Sequence, residues 1–271
     1  MLRKLMKHEF RATGRIMLPL FLILLVTAFG ANLSTRGLMS TQYRILDVLG
    51  GLLITAFFVA IVGVCVMSFV LMVQRFYKNL LQDEGYVMMT LPVSVHQQVW
   101  SKLIVSSVWF ILTVLAVILA ACIMAFNVSF LGEFFQGLRG LFRELREIGA
   151  YYAINGTAIA VELIALTFLS LVAFCLQFYA ALAVGHSFAN HKMACSVAFF
   201  FGFQFVLQFL GGTGIFAFDA LNLFDFLPSW QLNGMAAVHA VLIFCIVLVV
   251  LYSAIFYAIT TFCLKKRLNL E

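Results

Sequence analysis

Six long stretches of this chain contain no lysine, arginine, aspartate or glutamate: 16–35, 48–74, 103–132, 163–191, 193–218 and 226–264. About 20 apolar residues in a helix cover the hydrocarbon core of a bilayer, so each stretch holds one plausible span. The fourth and fifth are separated by the polar run His186 to Lys192, which predicts a tight turn. The sixth exceeds one span, and its first part, Phe226 to Asn233, is expected to lie at the outer surface. The predicted fold is therefore an all-α integral membrane protein with six transmembrane helices.

Composition agrees. Apolar residues make up 64% of the chain and charged residues only 10%, against about 25% charged in a soluble domain. Lipid is the expected solvent, and 1–271 reads as a single membrane domain with no internal repeat. Basic residues before the first stretch (Arg3, Lys4, Lys7, Arg11, Arg15) give it the look of a signal peptide. It continues to Asn32 without an obvious A-x-A site, so a retained span is expected. The six cysteines lie in or beside apolar runs with no CxxC pair, as expected of small buried hydrophobes rather than disulfides or metal ligands.

A net charge of +6 would suggest nucleic acid in a soluble protein, but here the basic residues flank apolar runs. With the N-terminus inside, 1–15, 74–102, 186–193 and 264–271 carry twelve basic residues, against five on the other side. Both termini are thus predicted to be cytoplasmic. Nucleic-acid binding has no support.

Three segments read as surface elements. In 1–15, Leu2, Leu5, Met6 and Phe10 face one side and Arg3, Lys4, Lys7 and Arg11 the other, a basic amphipathic helix suited to an anionic leaflet. In 130–148, Phe134, Leu138, Leu141, Leu145 and Ile148 recur at helical steps among charged residues, predicting an outer amphipathic helix. Residues 214–230, aromatic with two acids and a proline, suit a re-entrant or interfacial element. Asn32, Asn127 and Asn155 begin N-x-[ST] triplets, read as coincidence.

The segment 75–101 is the most informative. Phe76, Tyr77, Leu80 and Leu81 predict the apolar face of a short helix bearing Lys78 and ending at Asp83, Glu84 and Gly85. Glycine beyond a helix end tolerates the left-handed conformation. After Leu91-Pro92, Ser94 and Gln97 fit a capping box for a helix running through Lys102 into the third span. Glu84, Gly85, Thr90-Leu91-Pro92-Val93-Ser94 and Lys102 resemble the segment linking the second and third spans in ABC-2 type exporter permeases, the drug and antibiotic exporter class. The run 8–15 (HEFRATGR) and the six-span, N-in plan extend the likeness across the chain.

That resemblance implies a bacterial plasma-membrane permease whose residues Phe76, Tyr77, Lys78, Leu80, Leu81, Asp83, Glu84 and Gly85 couple to a separate ATPase subunit. Two permeases, identical or related, would work with an ATPase dimer, moving an amphiphilic peptide, lipid or drug outward. ATP and Mg would belong to the ATPase. No G-x-x-x-x-G-K-[ST] occurs here, and the cluster Gly211-Gly212-Thr213-Gly214 reads as a helix terminus. Neither HExxH nor GxSxG is present, so no catalytic residue and no cofactor or metal is expected in this chain.

Inside the spans, Gln204 and Gln208 share a helix face and suit interhelical contact or a cavity. Gln177 and Glu162 complete the intramembrane polar set, with Glu162 expected at the outer interface. A non-transporting membrane partner or sensor of an ATPase is the alternative function. A channel or secondary transporter would need charged or broken midplane helices, which are scarce here.

Overall fold

The computed structural model describes residues 2–38, 44–82, 85, 90, 92–126, isolated positions between 132 and 147, 156–188, 191–220 and 234–266. Six helices carry the chain: α1 (Leu2–Leu33), α2 (Arg44–Leu81), α3 (Val95–Ala125), α4 (Gly156–Gly185), α5 (Lys192–Ala220) and α6 (Gly234–Lys266). No strand occurs among the described residues. Each helix contains a window long and apolar enough to cross a membrane. The protein is an all-α, multi-pass membrane protein. Many large apolar side chains lie outward, such as Leu22, Val62, Ile164 and Phe205. Lipid accepts such a surface, whereas water would drive it to aggregate.

The helices overrun the charges that bound the apolar stretches. Arg75 and Lys78 lie within α2, Lys102 within α3 and Glu162 within α4. Lys, Arg and Glu are good helix formers, so a charge marks where lipid ends, not where the helix ends. Three expectations are corrected accordingly. Residues 2–14 are not a separate interfacial helix but the first turns of α1. The segment from Phe76 to Leu81 is not a short independent helix but the last turns of α2. The Gly211–Gly214 cluster is no terminus, because α5 continues through it to Ala220.

The chain forms two compact units, Met1–Phe76 with His96–Arg139 and Tyr77–Val95 with Gly140–Glu271, and their boundaries fall inside α2 and at the start of α3. In the first unit the core is a seam. Met17, Leu24, Ala28 and Ala31 of α1 meet Phe57, Val64 and Leu71 of α2 and Val105, Trp109 and Ala120 of α3. The α2 contributions recur every seven residues, the period that keeps one side of a helix on its neighbour. Asn32 Nδ2 donates to the carbonyls of Met124 and Phe126, both at 2.8 Å, tying the end of α1 to the end of α3.

In the second unit α4 packs on both α5 and α6. Ala173, Ala180, Ala181, Ala183 and Gly185 are buried along α4, and small residues let membrane helices approach closely. Aromatic contacts fill the space, with Phe178 stacked on Phe200 at 4.3 Å and Phe203 edge-on to Phe256 at 5.1 Å. The described positions between 132 and 147 are helical, with an exposed Arg143–Glu147 pair at 2.9 Å. The apolar stripe Phe134, Leu138, Leu141, Leu145 and Ile148, and residues 221–230, lie outside the described residues.

Candidate functional site

The first turns of α1 are amphipathic as expected. Arg3, Lys4, Lys7, Arg11 and Arg15 are exposed, while Leu2, Leu5, Met6 and Phe10 are half-buried. One residue breaks the pattern. Glu9 sits in the middle of the apolar stripe and is buried there. Its Oε1 accepts a hydrogen bond from Lys102 Nζ of α3 at 2.7 Å. One turn further on, the Thr13 hydroxyl donates to the Glu9 carbonyl at 2.8 Å and accepts from Trp109 Nε1 at 2.6 Å. Gly14 lies against the Trp109 ring, where a Cβ would be in ordinary contact. Ser68 of α2 meets Thr113 of α3 hydroxyl to hydroxyl at 2.6 Å.

This polar centre surrounds a cavity of about 20 Å³ that Arg75, Ser106 and Met72 also line. That volume fits a water molecule and is far below a ligand pocket of several hundred Å³. Its chemistry is that of a lock. A buried carboxylate and ammonium hold each other only at short range and good geometry, so the pair fixes the rotation of α1 against α3.

The segment expected to couple to a partner is divided by burial. Phe76, Leu80 and Leu81 are enclosed, the first two completely. Their side chains anchor the end of α2 within the chain and are not displayed. Lys78 and Gln82 are exposed, and Tyr77 is half-buried. The Tyr77 hydroxyl accepts from Gln82 Nε2 at 3.2 Å. Asp83 and Glu84 lie outside the described residues. Gly85 closes a turn by donating its N–H to the Gln82 carbonyl at 2.7 Å. No described glycine has positive φ, so Gly85 does not use the left-handed conformation. As the capping box predicts, α3 begins at Val95, directly after Ser94.

Tyr77 packs edge-on against His186, with ring centroids 5.2 Å apart. His186 belongs to the tight turn between α4 and α5 and is buried. Its Nδ1 lies 2.9 Å from the Leu182 carbonyl and 3.4 Å from Ser196 Oγ. Burial lowers the imidazole pKa from its ordinary 6.5; the Leu182 carbonyl opposes that shift and Lys192 adds to it. The turn closes tightly: a Cβ on Gly185 would overlap Ser196. His191 completes it with a left-handed φ of 54°.

The intramembrane polar residues resolve into pairs. Gln177 Nε2 of α4 donates to Gln204 Oε1 of α5 at 3.1 Å, an interhelical bond. Gln208 is exposed. Glu162 is part-buried and holds His239 Nδ1 of α6 at 2.9 Å from either carboxylate oxygen. Sequence reasoning missed His239, Glu9 and the role of Trp109. Only Glu9 left a local trace, as a lone acid centred on an apolar helical stripe. Among the described residues no cluster of three His, Cys, Asp or Glu could hold a metal ion. Comparisons with family models, curated proteins and solved structures find no match to this chain.

Proposed function

We propose that this chain is the membrane-spanning permease subunit of an ATP-driven exporter of the ABC-2 type, carrying an amphiphilic substrate outward with energy from a separate ATPase subunit. The Glu9–Lys102 pair carries the reading. It joins the two short regions on which the family resemblance rests, HEFRATGR (8–15) and the segment that ends at Lys102. Two motifs far apart in sequence that meet in one buried ion pair belong to one working part. In this reading the end of α2 and the residues after it receive the ATPase, whose dimer binds ATP and Mg. Displacement of that segment passes along α3 to Lys102 and so to α1.

The same reading puts the protein in the plasma membrane with both termini cytoplasmic, since the twelve basic residues of 1–15, 74–102, 186–193 and 264–271 would then face inward. The docking face would be Tyr77, Lys78 and Gln82, together with Asp83 and Glu84. Charged rim residues chiefly govern encounter and orientation, and a few anchors govern affinity. The test is co-expression with an ATPase encoded beside this chain. Copurification and substrate-stimulated ATP hydrolysis, both reduced by Tyr77→Ala with Lys78→Glu, are expected. Unchanged assembly and hydrolysis in that variant would remove the segment's coupling role. Assembly without any substrate-dependent transport would favour a sensor instead.

A further inference from the structure

The first unit gathers positive charge at one end. Three charge-free stretches, 16–35, 48–74 and 103–132, are bounded there by Arg15, Arg75 and Lys102. Met17, Leu71 and Val105, just inside those boundaries, share one core and line one cavity. The three basic residues therefore stand at one level of the bundle, where hydrocarbon gives way to headgroups. Arg3, Lys7 and Arg11 lead to Arg15 at steps of four, and all four are exposed. The apolar stripe beside them is taken up within the protein, since Met6 and Phe10 pack against its core. What this end offers to lipid is charge.

At that level one cation lacks a counter-charge. Glu9 is the one acid among the described residues at this end, and it is buried and holds Lys102 at 2.7 Å. Arg75 lines the same cavity as that pair and is half-buried. It makes no hydrogen bond or ion pair with any described residue. A guanidinium stays charged at any physiological pH, so at this depth it needs water or an anion. The cavity takes no more than a water molecule. An anion would therefore sit outside it, against the exposed part of Arg75.

We propose that Arg75 seats the phosphate of an anionic phospholipid headgroup from the leaflet that meets this end of the bundle. The guanidinium fork matches two oxygens of one phosphate. Selection for an anionic lipid comes from the surrounding charge. Arg3, Lys7, Arg11 and Arg15 add four exposed cations, while the carboxylate of Glu9 is neutralised by Lys102. Basic residues at a membrane surface attract anionic lipid, and basic pockets between membrane helices hold its headgroups. The proposal rests on the six-span fold and not on the permease reading, so the failure of one leaves the other standing.

The test is thermal unfolding of the purified full-length chain in a neutral detergent, with phosphatidylglycerol, phosphatidylcholine or inorganic phosphate added in turn. Phosphatidylglycerol should raise the midpoint by several degrees, because a ligand that binds only the folded chain stabilises it. The other two should raise it far less. Arg75→Gln should lose most of the gain, and Arg75→Lys, which keeps the charge without the fork, should retain part. Lys266→Gln removes an exposed cation from the second unit and should retain all of it. Native mass spectrometry should count fewer phosphatidylglycerol molecules on Arg75→Gln than on the parent, a readout that stands even if the variant is less stable. Equal gains from the two lipids would overturn the anionic selectivity, and an equal gain from inorganic phosphate would overturn the lipid as its source. Full retention of both the gain and the bound lipid in Arg75→Gln would overturn the seat and leave only a diffuse attraction by α1.

Discussion

Lys102 Nζ and Glu9 Oε1 stand 2.7 Å apart, the lysine side chain 1% exposed and the glutamate 11%. The pair ties the first turns of α1 to the first turns of α3, 93 positions apart in the sequence. Breaking a buried ion pair by removing one member costs about 3–5 kcal/mol. Lys102→Met should therefore lower the unfolding midpoint sharply, read through fluorescence in detergent. Adding Glu9→Gln should recover most of the loss, since a buried pair replaced by neutral groups is often nearly neutral. A single variant as stable as the parent would mean that the pair does not hold α1 in place.

Gly185 makes the α4–α5 turn possible. A Cβ there would overlap the hydroxyl, backbone nitrogen and Cα of Ser196. Backbone cannot yield without parting the two helices, so Gly185→Ala should destabilise by about 1–3 kcal/mol or more. Gly63→Ala on α2, with open space around its Cα, should be neutral or slightly stabilising, as expected in a helix interior. Equal thermal shifts for the two variants would contradict the close approach.

The end of α2 should separate by burial. Phe76 is fully enclosed, and truncating a buried phenylalanine to alanine costs about 3–5 kcal/mol. Phe76→Ala should thus lower stability of the isolated chain, before any partner is added. On the permease reading, Lys78→Glu should leave that stability unchanged and act only on association with the proposed ATPase, more at low salt than at high salt. A stable Phe76→Ala variant that merely loses the partner would place Phe76 in the interface instead.

His186 gives the α4–α5 turn a pH dependence. Its folded pKa is below the ordinary 6.5 because burial disfavours the charged ring. The unfolded chain then binds the extra proton more readily than the folded one. Stability from the neutral ring is complete above about pH 6.5 and declines as pH falls toward the folded pKa. The midpoint difference between the parent and His186→Gln should accordingly shrink between pH 7.5 and pH 5.5. A difference independent of pH would show that the ring has the same pKa in the folded and the unfolded chain.

The amino-acid sequence determined the solvent, the number of spans and the outward basic face of the first helix. These depend on runs of apolar residues and on helical period, both local along the chain. Val95 as the start of α3 was equally legible, because capping is settled within one turn. Helix ends were not. The charge at Arg75 looked like the end of the second span's helix, yet α2 continues through it at no backbone cost. Tertiary structure alone decided which polar groups meet. Glu9 with Lys102, Thr13 with Trp109 and Glu162 with His239 come from different helices, and Tyr77 with His186 from a helix and a distant turn. Their pairing depends on the rotation and depth of each helix in the bundle. The burial of Phe76 and Leu80 has the same origin: an apolar stripe states that a helix face will be covered, and packing decides whether the chain itself provides the cover.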